Sequence, residues 1–296
     1  MDYSYLEAKR ALDDRSINRP VWEAFRKRAV DLAGSGRSDG MRLLEIGAGS
    51  GSMVERLASW GVLGELSRRG PVHYVTVEPQ EPHIPVLRRR LARREELSGW
   101  ETFHGTGDEY LAALSVDSGD GASEGGDRRA DIVIAHAVLD LFSAEEAAAL
   151  ARGLLRPGGL LYATITFDGE SFFEPDEEPE LDRRVRDAYH ESMARRGKIG
   201  AGFGRKLLTV LPREGMSVIE AGSSDWILMP REGSYPEKEG EFLKAILSMV
   251  DGAVEQQIEE EERKRWLTRR LEQLSRGELV YIAHQLDILA RKGEQS

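Results

Sequence analysis

Three closely spaced glycines behind a short apolar segment constrain the fold of this chain more than any other feature. Residues 43–46 read LLEI, and Gly47, Gly49 and Gly51 follow just before a segment with helical spacing of its apolar residues. Glycines let the backbone turn tightly and approach a ligand that a Cβ atom would obstruct. The helix after such a turn presents unpaired N–H groups to the same ligand. The pattern therefore predicts a strand, a ligand-binding turn and a helix in succession.

Short apolar runs alternate with helical stretches along the chain from this point. The runs lie at residues 43–46, 72–77, 102–104, 132–135 and 160–167, and the helical stretches at 52–60, 84–96, 108–114 and 144–155. Alternation of this kind predicts a parallel sheet with crossover helices. Two later segments, 216–229 and 278–292, are also strand-like.

The spacing of the glycines separates two families that bind ligands at such a turn. The dinucleotide fingerprint Gly-x-Gly-x-x-Gly would need a glycine at position 52, where this chain has Ser52. Residues 43–51 instead resemble the first motif of class I S-adenosylmethionine-dependent methyltransferases. In that family the glycine turn holds the amino-acid end of the cofactor, and the resemblance places Glu45 near its ammonium group.

Four further segments resemble motifs of the same family, in the order that the family requires. Residues 72–79 resemble the second strand of the family. There the resemblance implies that Glu78 binds the ribose diol, because a carboxylate can accept two hydroxyl hydrogen bonds. Residues 103–108 are similar to the family's third-strand segment. Its aspartate, which corresponds to Asp108, accepts a hydrogen bond from the adenine amino group. The last two resemble the fourth strand with the loop beside the methyl group, and the turn into the fifth strand. These segments are residues 72–79, 103–108, 131–139 and 154–161.

The resemblance covers residues 42–167 well, and residues 281–292 look like the antiparallel last strand of the family. It implies an α/β fold with a seven-stranded, mostly parallel Rossmann-like methyltransferase sheet, helices on both faces and an added helical cap. It also implies S-adenosyl-L-methionine as cofactor and S-adenosyl-L-homocysteine as product. The cofactor-binding residues that we select on this basis are Glu45, Gly47, Ala48, Gly49, Gly51, Glu78, Pro79, Gly107, Asp108, Ala135 and His136.

Helical segments outside the predicted sheet indicate a lid and a cap. We expect residues 1–34 to form an N-terminal helical lid and residues 35–296 to form a methyltransferase domain, with cap insertions at about 168–204 and 230–277. Strands five and six end at the carboxyl edge of the sheet, so the chain must leave from that edge before it returns. The cap would therefore enclose a small acceptor and exclude water from the methyl group.

Two candidate catalytic residues follow the fourth strand. Methyl transfer from a sulfonium is an in-line displacement that depends on alignment, and an oxygen or nitrogen nucleophile can also need a base. His136 follows the strand at once and Asp140 lies in the loop beyond it, where ligands bind in open α/β sheets. The alternative for His136 is a histidine that only hydrogen-bonds to the backbone of the loop.

Candidate substrate-binding residues come from three segments. The N-terminal run Lys9, Asp13, Asp14, Arg15 and Asn18 is unusually polar, and such helices often close over the cofactor in the family that the chain resembles. Helix caps and surface ion pairs are the alternative reading of this run. The inserted helix and the end of strand six supply the rest, although a tryptophan is often a core residue. We select Arg15, Asn18, Tyr189, His190, Asp225 and Trp226.

Composition restricts the partners and the chemistry. A formal net charge of −11 argues against nucleic acid, because most of that affinity comes from Lys and Arg on phosphates. The absence of cysteine excludes thiolate nucleophiles and cysteine-bound metals, and the histidines have no close metal-ligand spacing. No apolar run approaches the roughly 18 residues that span a bilayer, and the start of the chain does not resemble a secretory signal. We expect a cytoplasmic monomer or homodimer with a small-molecule substrate, no membrane partner and no metal.

Several functions remain open at this stage. A non-catalytic module that binds S-adenosylmethionine and a methyltransferase of protein side chains are the main alternatives. Methylation of exocyclic base amines is disfavoured because the loop at 135–138 reads AHAV, without the Asn/Asp-Pro-Pro-aromatic motif. An NAD-dependent oxidoreductase is disfavoured by Ser52. The motifs are compatible with O, N or C as the methylated atom of the acceptor.

Overall fold

A single eight-stranded sheet lies at the centre of the described part of the chain. The protein is represented by a computed structural model that describes residues 3–34, 39–117, 127–196 and 202–294. The strands are β1 (Met41–Ile46), β2 (Val72–Glu78), β3 (Gly99–His104), β4 (Ala130–His136), β5 (Leu155–Glu174), β6 (Met216–Ser223), β7 (Trp226–Leu228) and β8 (Val280–Lys292). Their order is β3-β2-β1-β4-β5-β8-β6, and β7 also pairs with β8.

The strand directions agree with the fold expected from the sequence. Strands β1 to β5 are parallel to one another, whereas β8 is antiparallel to β5, β6 and β7. The predicted sixth strand is interrupted at Ser224 and Asp225, so β6 and β7 pair with successive parts of β8. The sheet thus has seven positions, which confirms the predicted seven-stranded, mostly parallel sheet with an antiparallel last strand.

Helices cover both faces of the sheet. Adjacent residues of a strand face opposite sides, and accordingly Leu43 and Leu44 belong to two separate hydrophobic cores. The helices are α1 (Tyr3–Ser16), α2 (Arg19–Ala33), α3 (Ser52–Ser59), α4 (Val62–Ser67), α5 (Ile84–Leu91), α6 (Gly107–Asp117), α7 (Ala144–Leu154), α8 (Pro179–Arg196), α9 (Phe203–Arg213), α10 (Glu239–Val254) and α11 (Glu260–Ser275). Helices α2 to α5 pack in one core with α8, α10 and α11, and α6, α7 and α9 pack in the other.

Strand β5 is longer than the sequence pattern indicates. The apolar run at 160–167 predicts its centre, but the strand begins at Leu155 and continues to Glu174, into the segment predicted as the first cap insertion. The alternation is broken because the register with β8 shifts on both sides of residues 166–167, and Ile165 has a positive φ of 53°. The end of the strand forms nevertheless, because β8 pairs with it as far as Val280.

The predicted lid and cap segments contain α1 and α2, the end of β5 with α8, and α10 with α11. Helix α10 contacts α1, α8 and α11, and α1 also contacts β7. Helix α9, which packs against β5, β6 and α7, is missing from the sequence prediction. Residues 1–2 of the predicted lid and residues 197–201 of the first predicted insertion lie outside the described residues.

Candidate functional site

One cavity of about 460 Å³ lies at the carboxyl ends of β1, β2 and β4. The turns after these strands form one side of it, as expected for open α/β sheets. Its other side comes from β5, β7 and β8 and from helices α1, α8 and α10. The cavity therefore joins the glycine turn to parts of the predicted lid and cap.

The glycine turn after β1 has the backbone geometry that its sequence predicts. Gly47 and Gly49 have φ values of 64° and 53°, a region that other residues rarely adopt. A Cβ atom on Gly47 would lie 2.6 Å from Cγ2 of Val138. The N–H of Gly47 donates to the carbonyl of Val77 at 2.9 Å, which fixes the turn against β2.

Glu78 at the end of β2 is buried and holds the same turn. Its Oε2 accepts from the N–H of Gly49 at 2.7 Å, and its Oε1 accepts from the N–H of Gln80 at 2.8 Å. The Nδ1 of His83 is 3.3 Å from Oε1. A carboxylate has about four lone-pair positions, so one remains for a ligand and a second becomes available if His83 moves away.

Glu45, near the end of β1 and just before the glycines, is 2 % exposed and lines the cavity. The hydroxyl of Tyr74 donates to its Oε2 at 2.8 Å. Burial raises the pKa of Glu45 to about 8, against the opposing effects of Tyr74 and of the Arg56 charge. The carboxyl group is therefore mostly protonated at pH 7 and would ionise in contact with a cation.

A buried cluster connects α1 to the ends of β4 and β7. Asp13 is 1 % exposed, and its Oδ1 accepts from Nε1 of Trp226 at 3.0 Å. Its Oδ2 lies 3.1 Å from Nε2 of His136 and 3.2 Å from Nζ of Lys9. Burial would raise the pKa of Asp13, but Lys9, His136 and Arg56 outweigh it and hold that pKa well below its usual range.

Both ring nitrogens of His136 are engaged in this cluster. Burial and the Arg56 charge lower the pKa of His136 to about 4, although Asp13 opposes them, so the ring is neutral at pH 7. An ionised carboxylate can only accept, hence Nε2 carries the proton and donates to Asp13. Nδ1 then accepts from the hydroxyl of Thr164 at 2.8 Å. This arrangement leaves no lone pair for a substrate proton and favours a positioning role over a catalytic base.

Asp140 is better placed for acid–base chemistry. It lies on the short 3₁₀ helix Leu139–Leu141 and lines the cavity. Burial raises its pKa to about 6, close to the range in which a general base is effective near neutral pH. Its Oδ1 is buried and has no hydrogen-bond partner among the described residues.

The part of the cavity away from the glycine turn is predominantly apolar and aromatic. Helix α8 contributes Tyr189 to it, β7 contributes Trp226 and β8 contributes Tyr281. The remaining apolar and aromatic side chains of this part are Leu141, Phe142, Ile165, Phe167, Met193, Ile246, Met249 and Ala283.

Many of the residues selected from the sequence meet in this cavity. The selected residues that line the cavity are Glu45, Gly47, Ala48, Gly49, Glu78, Pro79, Gly107, His136, Asp140, Tyr189 and Trp226. The selected residues that do not line it are Arg15, Asn18, Gly51, Asp108, Ala135, His190 and Asp225.

The outlying polar residues have structural contacts instead. Arg15 pairs with Glu239 and donates to the carbonyl of Ile227. Asn18 is the N-cap of α2 and also donates to the carbonyl of Ser223. His190 Nε2 lies 3.1 Å from Oγ of Ser171. Arg15 is therefore part of an ion pair and Asn18 is a helix cap.

Asp225 and Asp108 also lie away from the cavity. Oδ1 of Asp225 accepts from the backbone N–H of Gln285 and is 2.8 Å from Nδ1 of His284. Asp108 is exposed in the first turn of α6.

Three residues at the cavity were not among those selected from the sequence. Lys9 lines it, and Asp13 stands directly behind His136. Their i,i+4 spacing on one helix was the available signal, but the residues selected from that run were Arg15 and Asn18. Gln285 of β8 also lines the cavity, and nothing in its local sequence distinguishes it from a solvent-facing strand residue.

Neither a metal site nor a membrane-spanning helix is found in the described ranges. No group of three or more His, Cys, Asp or Glu residues that could hold a metal ion occurs among the described residues. Within the same residue ranges, no helix is long and apolar enough to cross a membrane.

Comparison with known proteins finds similarity to solved structures alone. No protein-family model matches the chain, and no curated protein matches it. The chain is similar to a cyclopropane synthase of Mycobacterium tuberculosis, with 13% identity over 91% of this chain and 83% of that one, and a TM-score of 0.45. It is also similar to a Bacillus halodurans protein described provisionally as a methyltransferase, with 14% identity over 89% of this chain and 97% of that one, and a TM-score of 0.48.

A third similar structure contains a ligand. It is a mycolic acid cyclopropane synthase bound to S-adenosylhomocysteine and CTAB, with 14% identity over 89% of this chain and 82% of that one, and a TM-score of 0.42. The strand order and the glycine turn of this chain agree with the Rossmann-like methyltransferase fold expected from its sequence. The strand order and the geometry of the glycine turn are the features of this chain that carry the assignment of the fold.

Proposed function

We propose that this protein transfers a methyl group from S-adenosylmethionine to a small-molecule acceptor. The observation that carries the proposal is a single cavity with two unlike parts. One part contains the glycine turn with Glu45 and Glu78, and the other is apolar and lies beside Asp140. Such a cavity can hold a polar cofactor and an apolar acceptor in contact with each other.

The residues of the polar part fit S-adenosylmethionine. The positive φ values of Gly47 and Gly49 open the backbone of the turn to a ligand. Glu45 has a buried carboxyl group for the ammonium of the methionine portion, and Glu78 has acceptor capacity for the ribose diol. When bound, the cofactor supplies an electrophilic methyl carbon, whose bond to the sulfonium sulfur breaks as a nucleophile attacks from the opposite side.

The chain's own residues would position the acceptor and take up its proton. The aromatic rings of Tyr189, Trp226 and Tyr281 line the acceptor part of the cavity. They would restrict the orientations of a small molecule there. Asp140 would accept the proton that an oxygen or nitrogen nucleophile loses. His136 would fix the position of α1 through Asp13 rather than take part in proton transfer.

The helices around the cavity would act as the lid and cap predicted from the sequence. Lys9 of α1, Tyr189 and Met193 of α8, and Ile246 and Met249 of α10 line the cavity opposite the glycine turn. A cover of this kind excludes water from the reacting centre and strengthens electrostatic interactions within it. It also supports a small acceptor over a protein side chain or nucleic acid, which would need an open cleft.

Calorimetric titration with S-adenosylhomocysteine and with NADH tests the proposal. We expect S-adenosylhomocysteine to bind and NADH not to bind. Gly47→Ala should abolish binding, because its Cβ atom would lie 2.6 Å from Val138. Gly61→Ala is the matched control, since Gly61 also has a positive φ but a Cβ atom there would have nothing within 4 Å. Binding of NADH in place of S-adenosylhomocysteine would overturn the proposal.

A further inference from the structure

Two buried oxygen atoms of the cavity lining have no hydrogen-bond donor. They are Oδ1 of Asp140 and Oε1 of Gln285, and neither has a partner among the described residues. Gln285 is 2 % exposed, and its backbone N–H is already bound to Asp225. A buried acceptor without a donor is costly, so a ligand that supplies donors would complete this part of the site.

The same cavity has large apolar side chains that remain exposed. Leu141 is 59 % exposed and Met249 is 40 % exposed, and both line the cavity. Phe142 and Met193 also line it and are only partly buried. They come from three elements, namely the turn after β4, α8 and α10, which places an apolar rim where the cavity meets solvent. Methionines adapt to ligands of different shape.

We propose that the acceptor is an amphiphile with a protic head group and an apolar tail. This inference rests on the proposed methyl transfer at this cavity. The head is either a hydroxyl, which donates to Asp140 or to Gln285, or an amine with two hydrogens, which can donate to both. The tail leaves the cavity between Leu141, Phe142, Met193 and Met249, and it covers their exposed surface. The acceptor therefore reaches Asp140 with its nucleophilic atom first.

The tail can be tested with 4-alkylphenols from 4-methylphenol to 4-octylphenol as probes. Their affinity for the protein saturated with S-adenosylhomocysteine is measured by calorimetry. Affinity should rise about three- to fourfold for each methylene that the rim covers. The double variant Leu141→Asn with Met249→Asn should flatten this dependence. Ile227→Asn is the matched control, because Ile227 is 47 % exposed and lies outside the cavity lining.

The head group can be tested with 4-octylanisole, which lacks the hydroxyl donor of 4-octylphenol. The protein should bind the phenol at least about tenfold more tightly than the anisole, because a buried acceptor is left unpaired by the latter. Gln285→Leu should reduce this preference, and the variant should still bind 4-octylanisole. The anisole thus serves as the control for the packing of the variant.

The outcomes separate this inference from the proposed function. If affinity depends on chain length equally in the rim variant and the native protein, the proposed path of the tail is wrong. If 4-octylphenol and 4-octylanisole bind with equal affinity, the proposed hydrogen bonds of the head group are wrong. Either result leaves binding of S-adenosylhomocysteine intact. Failure of S-adenosylhomocysteine to bind would instead overturn the proposed function.

Discussion

Nε2 of His136 donates a hydrogen bond to Oδ2 of Asp13 across 3.1 Å, and this bond joins α1 to the end of β4. Asp13→Asn should lower the free energy of unfolding by about 2–4 kcal/mol, because Lys9 and His136 lose a buried charged partner. Urea unfolding measures the change. Glu23→Gln, in an exposed pair with Arg26, should change it by less than about 0.5 kcal/mol. Equal effects of the two substitutions would contradict the role of Asp13.

His136 should make stability depend on pH with a defined sign. Its pKa falls from the ordinary value of 6.5 to about 4 on folding, so the unfolded chain binds more protons between these values. Stability from this group is present above about pH 6.5 and is lost as the pH falls toward 4. The difference in unfolding free energy between the native protein and His136→Gln should therefore shrink over that range. A difference that is constant with pH would exclude a buried neutral His136.

Glu45 should release a proton when the cofactor product binds. Its pKa is raised to about 8, so it is mostly protonated at pH 7, and an ammonium group nearby would favour the ionised form. Calorimetry with S-adenosylhomocysteine at pH 7, in buffers of different ionisation enthalpy, should give a release of up to about 0.9 proton. Affinity should rise from pH 6.5 to 8. Glu45→Gln should remove both the proton release and the pH dependence of the affinity. If they persist in this variant, another group releases the proton.

Glu78→Ala should weaken the binding of S-adenosylhomocysteine by about 1.5–3 kcal/mol, because a charged acceptor for the ribose is lost. The substitution also removes the acceptor of the Gly49 N–H, which adds to the loss. Glu81→Ala is the control, since Glu81 is an exposed glutamate three residues beyond Glu78. An unchanged dissociation constant for Glu78→Ala would show that another residue holds the ribose.

Helix α1 should be protected from hydrogen exchange by the ligand if it acts as a lid. Lids are usually drawn from the less stable parts of a structure, and Lys9 of α1 lines the cavity. Exchange with and without S-adenosylhomocysteine should show increased protection at residues 12–18 and at residues 47–51. Protection confined to the second segment would remove α1 from the site.

The sequence predicted the centre of the fold well because the information there is local. Residues 43–51 contain the strand, the turn and the start of the helix in one stretch, and the structure places Gly47 and Gly49 as expected. Periodicity failed in β5 because the shifts in its register with β8 break the alternation of apolar residues. No local pattern encodes such a pairing.

The candidate site was predicted only in part for the same reason. Glu78 follows a strand directly, so its place at the carboxyl edge could be inferred. Gln285 enters the cavity from β8, and Asp13 meets His136 from a helix far away in sequence. Such contacts depend on how distant elements pack, which the spacing of residues cannot specify. Arg15 and Asn18 were selected because the polar residues of one short stretch of sequence look alike until their neighbours are known.

The length of strand β5 determines whether the helical cover can be separated from the sheet. Its last residues, Ser171 to Glu174, pair with Ala283 to Val280 of β8. The helices α8, α10 and α11 lie in the chain between the end of β5 and the start of β8. A deletion of residues 168–204 would leave the first part of β8 without its partner on that side. The helical cover is therefore not a detachable module, and transplanting it to another sheet would require the paired ends of both strands to travel with it.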